Sequence, residues 1–171
     1  MAFYCLRCGN KLNEKVNNYN DCKNCGFRQY INPVQSNSVI IENNKKEILL
    51  VKRKFDPKKD YWDLPGGFIT IKENLEESTR REIKEELGIN LGELYYLGSF
   101  PDKYLFQKIN WDIIAFSFYT KMPKQKIKIS DDISGYKFFA KKNIPYKRLG
   151  FKGLKLAINK YLKIKKSDLF K

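Results

Sequence analysis

A chain of 171 residues has room for one full domain and one small accessory module. Lys and Arg number 34 against 19 Asp and Glu, a formal net charge of +15, and no histidine is present as an alternative metal ligand. No run approaches the ~18 consecutive apolar residues of a membrane-spanning helix, so no membrane partner is expected.

The N-terminal segment carries all four cysteines, as Cys5-Leu-Arg-Cys8-Gly9 and Cys22-Lys-Asn-Cys25-Gly26. Two C-x-x-C-G knuckles separated by thirteen residues suit tetrahedral Zn²⁺, each glycine permitting the turn that brings amides toward sulfur. Two disulfides are the competing account. Nothing reads as a signal peptide, so a reducing cytoplasm is expected, which favours zinc on Cys5, Cys8, Cys22 and Cys25. A four-thiolate site is closed, hence structural, and a module of this size needs the metal to fold. We place this module at residues 1–32 and the main domain at 33–171, joined near Gln29 to Pro33.

Ser38 to Ile41 and Ile48 to Arg53 read as strands linked by a polar turn through Glu42-Asn43-Asn44. Pro65-Gly66-Gly67 is turn chemistry that lets the backbone approach a ligand closely. The helix that follows opens on Asn74 with Glu77 three residues later, as in a capping box, and stops at Gly88. Ile83 and Leu87 form its apolar stripe, while Glu82, Glu85 and Glu86 share another face. These acids sit in the last turns, where the macrodipole favours cations, and Glu82 and Glu86 are a like-charge i,i+4 pair. A bound divalent cation removes these penalties together. The bland alternative is a solvated, charged helix.

Further along, Leu94 to Leu97 and Ile113 to Thr120 are strand candidates, rich in aromatic and β-branched residues. Phe151 to Ile164 is amphipathic, with Leu154, Ala157, Ile158, Tyr161 and Leu162 on one side. Mixed strands with flanking helices predict an α/β sandwich. From Lys137 to Lys171 there are twelve Lys or Arg and one acid, Asp168. This reads either as a footprint for RNA or another polyanion, or as the Lys- and Asn-rich composition of an AT-rich genome on a solvated face.

Residues 67–89 fill every position of the pattern G-x5-E-x7-R-E-U-x-E-E-x-G-U (U, aliphatic), with Gly67, Glu73, Arg81, Glu82, Ile83, Glu85, Glu86, Gly88 and Ile89. The approach Tyr61-Trp62-Asp63-Leu64-Pro65-Gly66-Gly67 fits as well. From about Val34 to about Ile164 the chain resembles Nudix hydrolases, which implies an α/β/α sandwich with a mixed sheet. The resemblance implies hydrolysis of a nucleoside diphosphate linked to another group, by attack of water on phosphorus. It implies Mg²⁺ (or Mn²⁺) held by Glu82, Glu85 and Glu86 with the Gly67 carbonyl, and an Arg81–Glu73 ion pair orienting those ligands. The general base is a box glutamate or an acid beyond the helix. Asp132, in Asp131-Asp132-Ile133, is the candidate on the loop, with an ordinary Asp-rich turn of equal weight.

A four-cysteine ribbon ahead of such a domain resembles the NADH pyrophosphatase arrangement, found also in enzymes that remove NAD-type caps from RNA. The S-Q-P-W-P-F-P-x-S signature of that group is not matched by Leu97-Gly98-Ser99-Phe100-Pro101-Asp102. A broader group acting on ADP-ribose, NADH or related nucleotides fits better. Arg53 is the expected phosphate contact, and Tyr104, Phe106 and Trp111 are candidates to stack on a base, with core packing the competing reading for each aromatic. The partner expected is therefore a nucleotide-derived small molecule. RNA processing by the same chemistry, nucleotide sensing without cleavage, and a homodimer stay open.

Overall fold

The computed structural model describes residues 3–12 and 18–164 and divides into two units, Met1–Pro33 and Val34–Lys171. The basic run that extends to Lys171 leaves the described residues after Ile164.

In the first unit, β1 (Phe3–Tyr4) pairs antiparallel with β2 (Lys11–Leu12), and β3 (Tyr19–Asp21) with β4 (Arg28–Tyr30). Each knuckle turns one hairpin. Gly9 and Gly26 adopt φ of 71° and 70°, the left-handed region, and donate to the carbonyls of Cys5 and Cys22 at 2.9 and 2.8 Å. The small core is Cys5, Leu12 and Cys22, flanked by Phe3, Cys25 and Phe27.

The second unit is built on a mixed sheet. Its strands are β5 (Val34–Glu42), β6 (Ile48–Arg53), β7 (Trp62–Asp63), β8 (Tyr95–Phe106), β9 (Ile109–Lys121) and β10 (Ile133–Phe139), in the order β10-β6-β5-β9-β8 with β7 beside β6. Only β5 and β9 run parallel. Ile40, Ile48 and Leu50 face a core that includes Ala157, Ile158 and Tyr161 of α2 (Lys152–Lys163). Their neighbours Val39, Ile41, Leu49 and Val51 face another that includes Ile83 and Leu87 of α1 (Leu75–Leu87). Both faces of the central strands are thus covered, which explains why β5 and β6 read as near-continuous apolar runs. The fold is an α/β/α sandwich. Among the described residues no helix is long and apolar enough to cross a membrane.

Strand β6 spans the expected residues, whereas β5, β8 and β9 are longer than their apolar cores suggested. Strand β8 continues through Gly98 and Pro101, both nominal breakers. The register shifts between Tyr96 and Gly98, with Gly98 at φ 149°, and an edge strand tolerates a residue without an N–H. The turn after β5 is tied by Asn43, whose Oδ1 accepts from the Lys45 and Glu47 amides, both at 2.9 Å. Glu42 before it is buried and accepts hydrogen bonds from the hydroxyls of Tyr119 and Tyr161, with the Lys141 ammonium at 3.4 Å.

The capping box of α1 is complete. Asn74 Oδ1 accepts from the Glu77 amide at 2.8 Å, and the Glu77 carboxylate accepts from the Asn74 amide at 3.0 Å. Asn74→Ala removes one partner of this pair and is expected to lower stability by about 1 kcal/mol in urea titration. An unchanged midpoint contradicts the cap.

Candidate functional site

The site is seated where β5 and β6 part. The two strands pair only at Glu42↔Ile48, and residues 65–69 run along the open side of β5. The Val39 and Asn37 amides donate to the Pro65 and Gly67 carbonyls at 3.0 and 2.8 Å, and the Ile69 amide donates to Gln35 at 3.1 Å. Asn37, buried within β5, locks helix to loop: its Nδ2 donates to Ser78 Oγ of α1 at 2.9 Å, and its Oδ1 accepts from the Gly67 amide at 3.4 Å. A Cβ on Gly66 would lie 2.5 Å from the Asn37 carbonyl oxygen. A Cβ on Gly67 would lie 2.4 Å from the Glu82 carboxylate. Gly66, at φ 141° and against backbone, is required for this close approach, whereas a side chain at Gly67 would displace the Glu82 carboxylate.

Arg81 organises the acids of α1. Its Nε and Nη2 take Glu73 bidentately at 2.6 and 3.0 Å, and its Nη1 reaches Glu82 at 2.8 Å and Glu85 at 3.0 Å. The guanidinium holds Glu73 down at about 2. Glu82 is shifted up by burial, against the pull of Arg81. Glu86 accepts from the Gly66 amide at 3.0 Å, yet burial, reinforced by Asp63 and Glu82, pushes it up to about 8. Asp63 is raised to about 6 by burial despite Arg53. The three box glutamates share a helix face without meeting at one point: Glu82 and Glu85 turn to Arg81, and Glu86 turns to the loop. An under-neutralised carboxylate set beside a backbone carbonyl is hard-oxygen chemistry, which fits a divalent cation of the Mg²⁺ type. The Gly67 carbonyl accepts from Asn37 and retains a second lone pair for such a role.

Beside the Gly66–Gly67 loop opens a cleft lined by Arg53, Asp63, Gly66, Gly67, Phe68, Tyr104 and Phe151, among others; Glu82, Glu85 and Glu86 are not among its lining residues. Arg53 is held from three sides, by Asp63 at 2.9 Å, by the Pro57 carbonyl at 2.8 Å and by the Tyr104 hydroxyl at 3.5 Å. Its guanidinium also lies over the Phe151 ring, 5.1 Å from the centroid. Tyr104 stacks on Phe151 (centroids 5.6 Å apart, 23°) and meets Phe68 edge-on at 5.5 Å. The structure thus brings Arg53 and Tyr104 to the box. Phe106 and Trp111 lie outside this cleft, and Asp132 is exposed at the start of β10 and does not line it. Sequence reasoning missed Asp63, Phe68, Asp102 and Phe151. The first two flank Pro65-Gly66-Gly67, and that adjacency was the available signal. Asp102 Oδ2 accepts from the Gly153 amide at 2.5 Å, capping α2 from β8 and fixing the helix start that carries Phe151.

The first unit holds a separate centre. The sulfurs of Cys5, Cys8, Cys22 and Cys25 lie within 4.8 Å of one another, with Cys5–Cys25 at 3.7 Å and Cys8–Cys22 at 3.6 Å. Among the described residues this is the one group of three or more Cys, Asp or Glu so gathered. These separations exceed the ~2.05 Å of a disulfide. They match the ~3.8 Å between ligands of a tetrahedral ion with ~2.3 Å bonds to sulfur. Cys8 is brought down to about 6 by the Asn10 amide and the Asn24 side chain. Cys25 accepts from the Phe27 amide but is pushed up to about 12 by burial and its three thiol neighbours. The four thiols thus differ in how readily they ionise, and a cation at their centre favours the thiolate at all four.

Glu86 generates a pH-dependent prediction. Its folded pKa lies above the unfolded value near 4.5, so the unfolded chain loses the proton first and stability falls as pH rises from about 4.5 to 8. In metal-free protein Glu86→Gln is therefore expected to raise Tm over wild type at pH 9 and to leave it unchanged at pH 4. Parallel Tm curves across that range contradict the burial argument.

A family model described as NUDIX domain matches residues 33–156. The chain is 34% identical over 139 residues to the ADP-ribose pyrophosphatase of Methanocaldococcus jannaschii, covering 80% of this chain and 78% of that protein. It is 33% identical over 102 residues to the NAD-capped RNA hydrolase NudC of Haemophilus influenzae, covering 57% of this chain and 38% of that one. Among solved structures, a NUDIX hydrolase from Nitrosomonas europaea superposes with a TM-score of 0.68 at 23% identity, over 94% of this chain and 90% of that one, a likeness of fold. With its box intact on α1 and its sheet in the order described, the chain belongs to the NUDIX family.

Proposed function

We propose that this chain is a NUDIX pyrophosphohydrolase that cleaves a nucleoside diphosphate linked to another moiety, in the class of ADP-ribose and NADH. The observation that carries this reading is the position of the Gly66–Gly67 loop, which lines the cleft of Arg53 and its aromatic walls and also meets Glu86 and Glu82 of α1. The similarity to an ADP-ribose pyrophosphatase over most of both chains supports the substrate class.

In this reading Arg53, fixed by Asp63 and the Pro57 carbonyl, takes a phosphate of the diphosphate. Phe68 and Tyr104 offer ring faces and edges to a base or nicotinamide. Glu82, Glu85, Glu86 and the Gly67 carbonyl hold Mg²⁺ or Mn²⁺, which when bound supplies charge neutralisation and acidifies the attacking water. Arg81, clamped by Glu73, keeps Glu82 and Glu85 in place. The proton acceptor is assigned to a box glutamate, Glu86 being the one held to the Gly66 amide and raised by burial. The four thiols of residues 1–32 hold a structural Zn²⁺, a role their closed sulfur set supports. The main domain occupies residues 33–171.

The test is product analysis on ADP-ribose, NADH, dinucleoside polyphosphates and a sugar nucleotide, with Mg²⁺ and then Mn²⁺. Release of AMP from ADP-ribose or NADH is expected. Tight binding of these compounds by folded, zinc-loaded protein without cleavage contradicts hydrolysis and supports a sensor. Glu73→Gln is expected to raise the Mg²⁺ concentration for half-maximal activity about 10–100-fold, with much of the rate returning at saturating metal. Cys5→Ser is expected to lose zinc, read by metal analysis. Full zinc retention in that variant excludes the four-cysteine site.

A further inference from the structure

Between β9 and β10, residues 122–132 cross the end of α1 as a strap with no helix or strand of its own. An α-helix leaves its last carbonyls without partners inside the helix. The strap supplies two of them: the Lys128 amide donates to Leu87 and the Ser130 amide to Glu86, both at 2.9 Å. Gly88 makes room for the crossing. It lies at φ 68°, and a Cβ there would stand 3.3 Å from Lys128. Upstream the strap is fastened by Gln125, whose side chain accepts from the Asn90 amide at 3.0 Å and donates to the Asn90 carbonyl at 3.3 Å. Ile127 packs against the core of Ile83 and Leu87, and Ile133 belongs to it.

Ser130 uses its three polar groups in two directions. Its amide holds the backbone of Glu86, whose carboxylate accepts from the Gly66 amide at 3.0 Å, so Glu86 is fixed through backbone and side chain alike. Its hydroxyl accepts from the Asp132 amide at 3.3 Å and its carbonyl from the Ile133 amide at 3.5 Å, which closes a turn. Ile133 opens β10 directly opposite Arg53 of β6, and beside it the Ser134 hydroxyl donates to the Lys52 carbonyl at 3.2 Å. One residue thus links the helix end that carries Glu86 to the strand end that carries Arg53. We infer that Ser130 is a positioning residue that sets the separation between the cation held at the box and the phosphate held at Arg53. The inference rests on the pyrophosphohydrolase reading, in which both groups act on one diphosphate. Such a pair tolerates little misplacement, since an error of ~1 Å costs on the order of 100-fold in rate.

The experiment is calorimetric binding, with and without Mn²⁺, of an ADP-ribose analogue whose bridging oxygen is replaced by a methylene group and which is therefore not hydrolysed. Ser130→Thr keeps both hydroxyl and amide, Ser130→Ala keeps the amide alone, and Ser130→Pro keeps neither. Gln125→Ala loosens the strap away from Ser130. In wild type, Mn²⁺ is expected to tighten binding of the analogue. Ser130→Thr is expected to retain that gain, Ser130→Ala to cut it about threefold and Ser130→Pro about tenfold, with kcat/KM on ADP-ribose in the same order. Gln125→Ala is expected to lower Tm and leave the gain intact. Should Ser130→Pro fail to fold, the contrast of Ser130→Ala with Ser130→Thr decides. A lowered Tm with the wild-type gain in Ser130→Ala makes the residue structural only, and an equal loss in Gln125→Ala makes the effect a general loosening. Either result overturns the inference. A wild type that cleaves ADP-ribose without any Mn²⁺ gain loses the positioning role and keeps the hydrolase reading. A gain that follows the variants without cleavage keeps the positioning role and ends the hydrolase reading. A wild type that neither binds nor cleaves loses both.

Discussion

The structure depends on a concentration of negative charge at a place where the backbone opposes it. The last turns of α1 carry the negative end of the helix dipole, and Glu82, Glu85 and Glu86 add three carboxylates there. Burial worsens the conflict for Glu86, which stands at the end of an apolar stripe and close to Asp63. Arg81 relieves only part of it, because one guanidinium is divided among Glu73, Glu82 and Glu85. The carboxylate charge left over is of the hard-oxygen kind that a divalent cation is suited to neutralise.

The rest of the second unit serves to hold that conflict in place. Strands β5 and β6 splay so that residues 65–69 can pair along β5, and this brings Gly66 and Gly67 under the helix. Asn37 then ties strand, loop and helix together with one amide side chain. The same central strands bury both faces, so neither α1 nor α2 can shift without opening a core. Asp102 fixes the start of α2 from β8, and with it Phe151, on which Arg53 and Tyr104 rest. The cleft wall is therefore as well anchored as its floor.

The acidic helix was legible because its cap, stripe and glutamates are local: spacing alone puts them on the faces they occupy. The cysteines were legible for the same reason, two short identical turns with glycine where a positive φ is needed. Strand β6 was readable as a buried apolar run. Strand β8 was not, since Gly98 and Pro101 break the pattern and are tolerated only because β8 lies at an edge with a register shift. Asp63 offered only its adjacency to Pro65-Gly66-Gly67 as a signal, because its raised pKa is created by tertiary burial. The aromatic candidates divided for a topological reason. Tyr104 faces Phe151 across the cleft, while Phe106 and Trp111 continue on the same hairpin face beyond it.

The charge of the whole molecule gives these local arrangements a common direction. The formal net charge of +15 favours anions in general, and Lys58 and Lys152 line a second cleft that shares Asp102 and Phe151 with that of Arg53, while Lys103 is paired with Asp112 at 3.0 Å. At the box the sign reverses, where Glu82, Glu85 and Glu86 gather negative charge that Arg81 offsets only in part. Arg53 stands between the two, its charge matched to Asp63 at 2.9 Å and its guanidinium over the Phe151 ring.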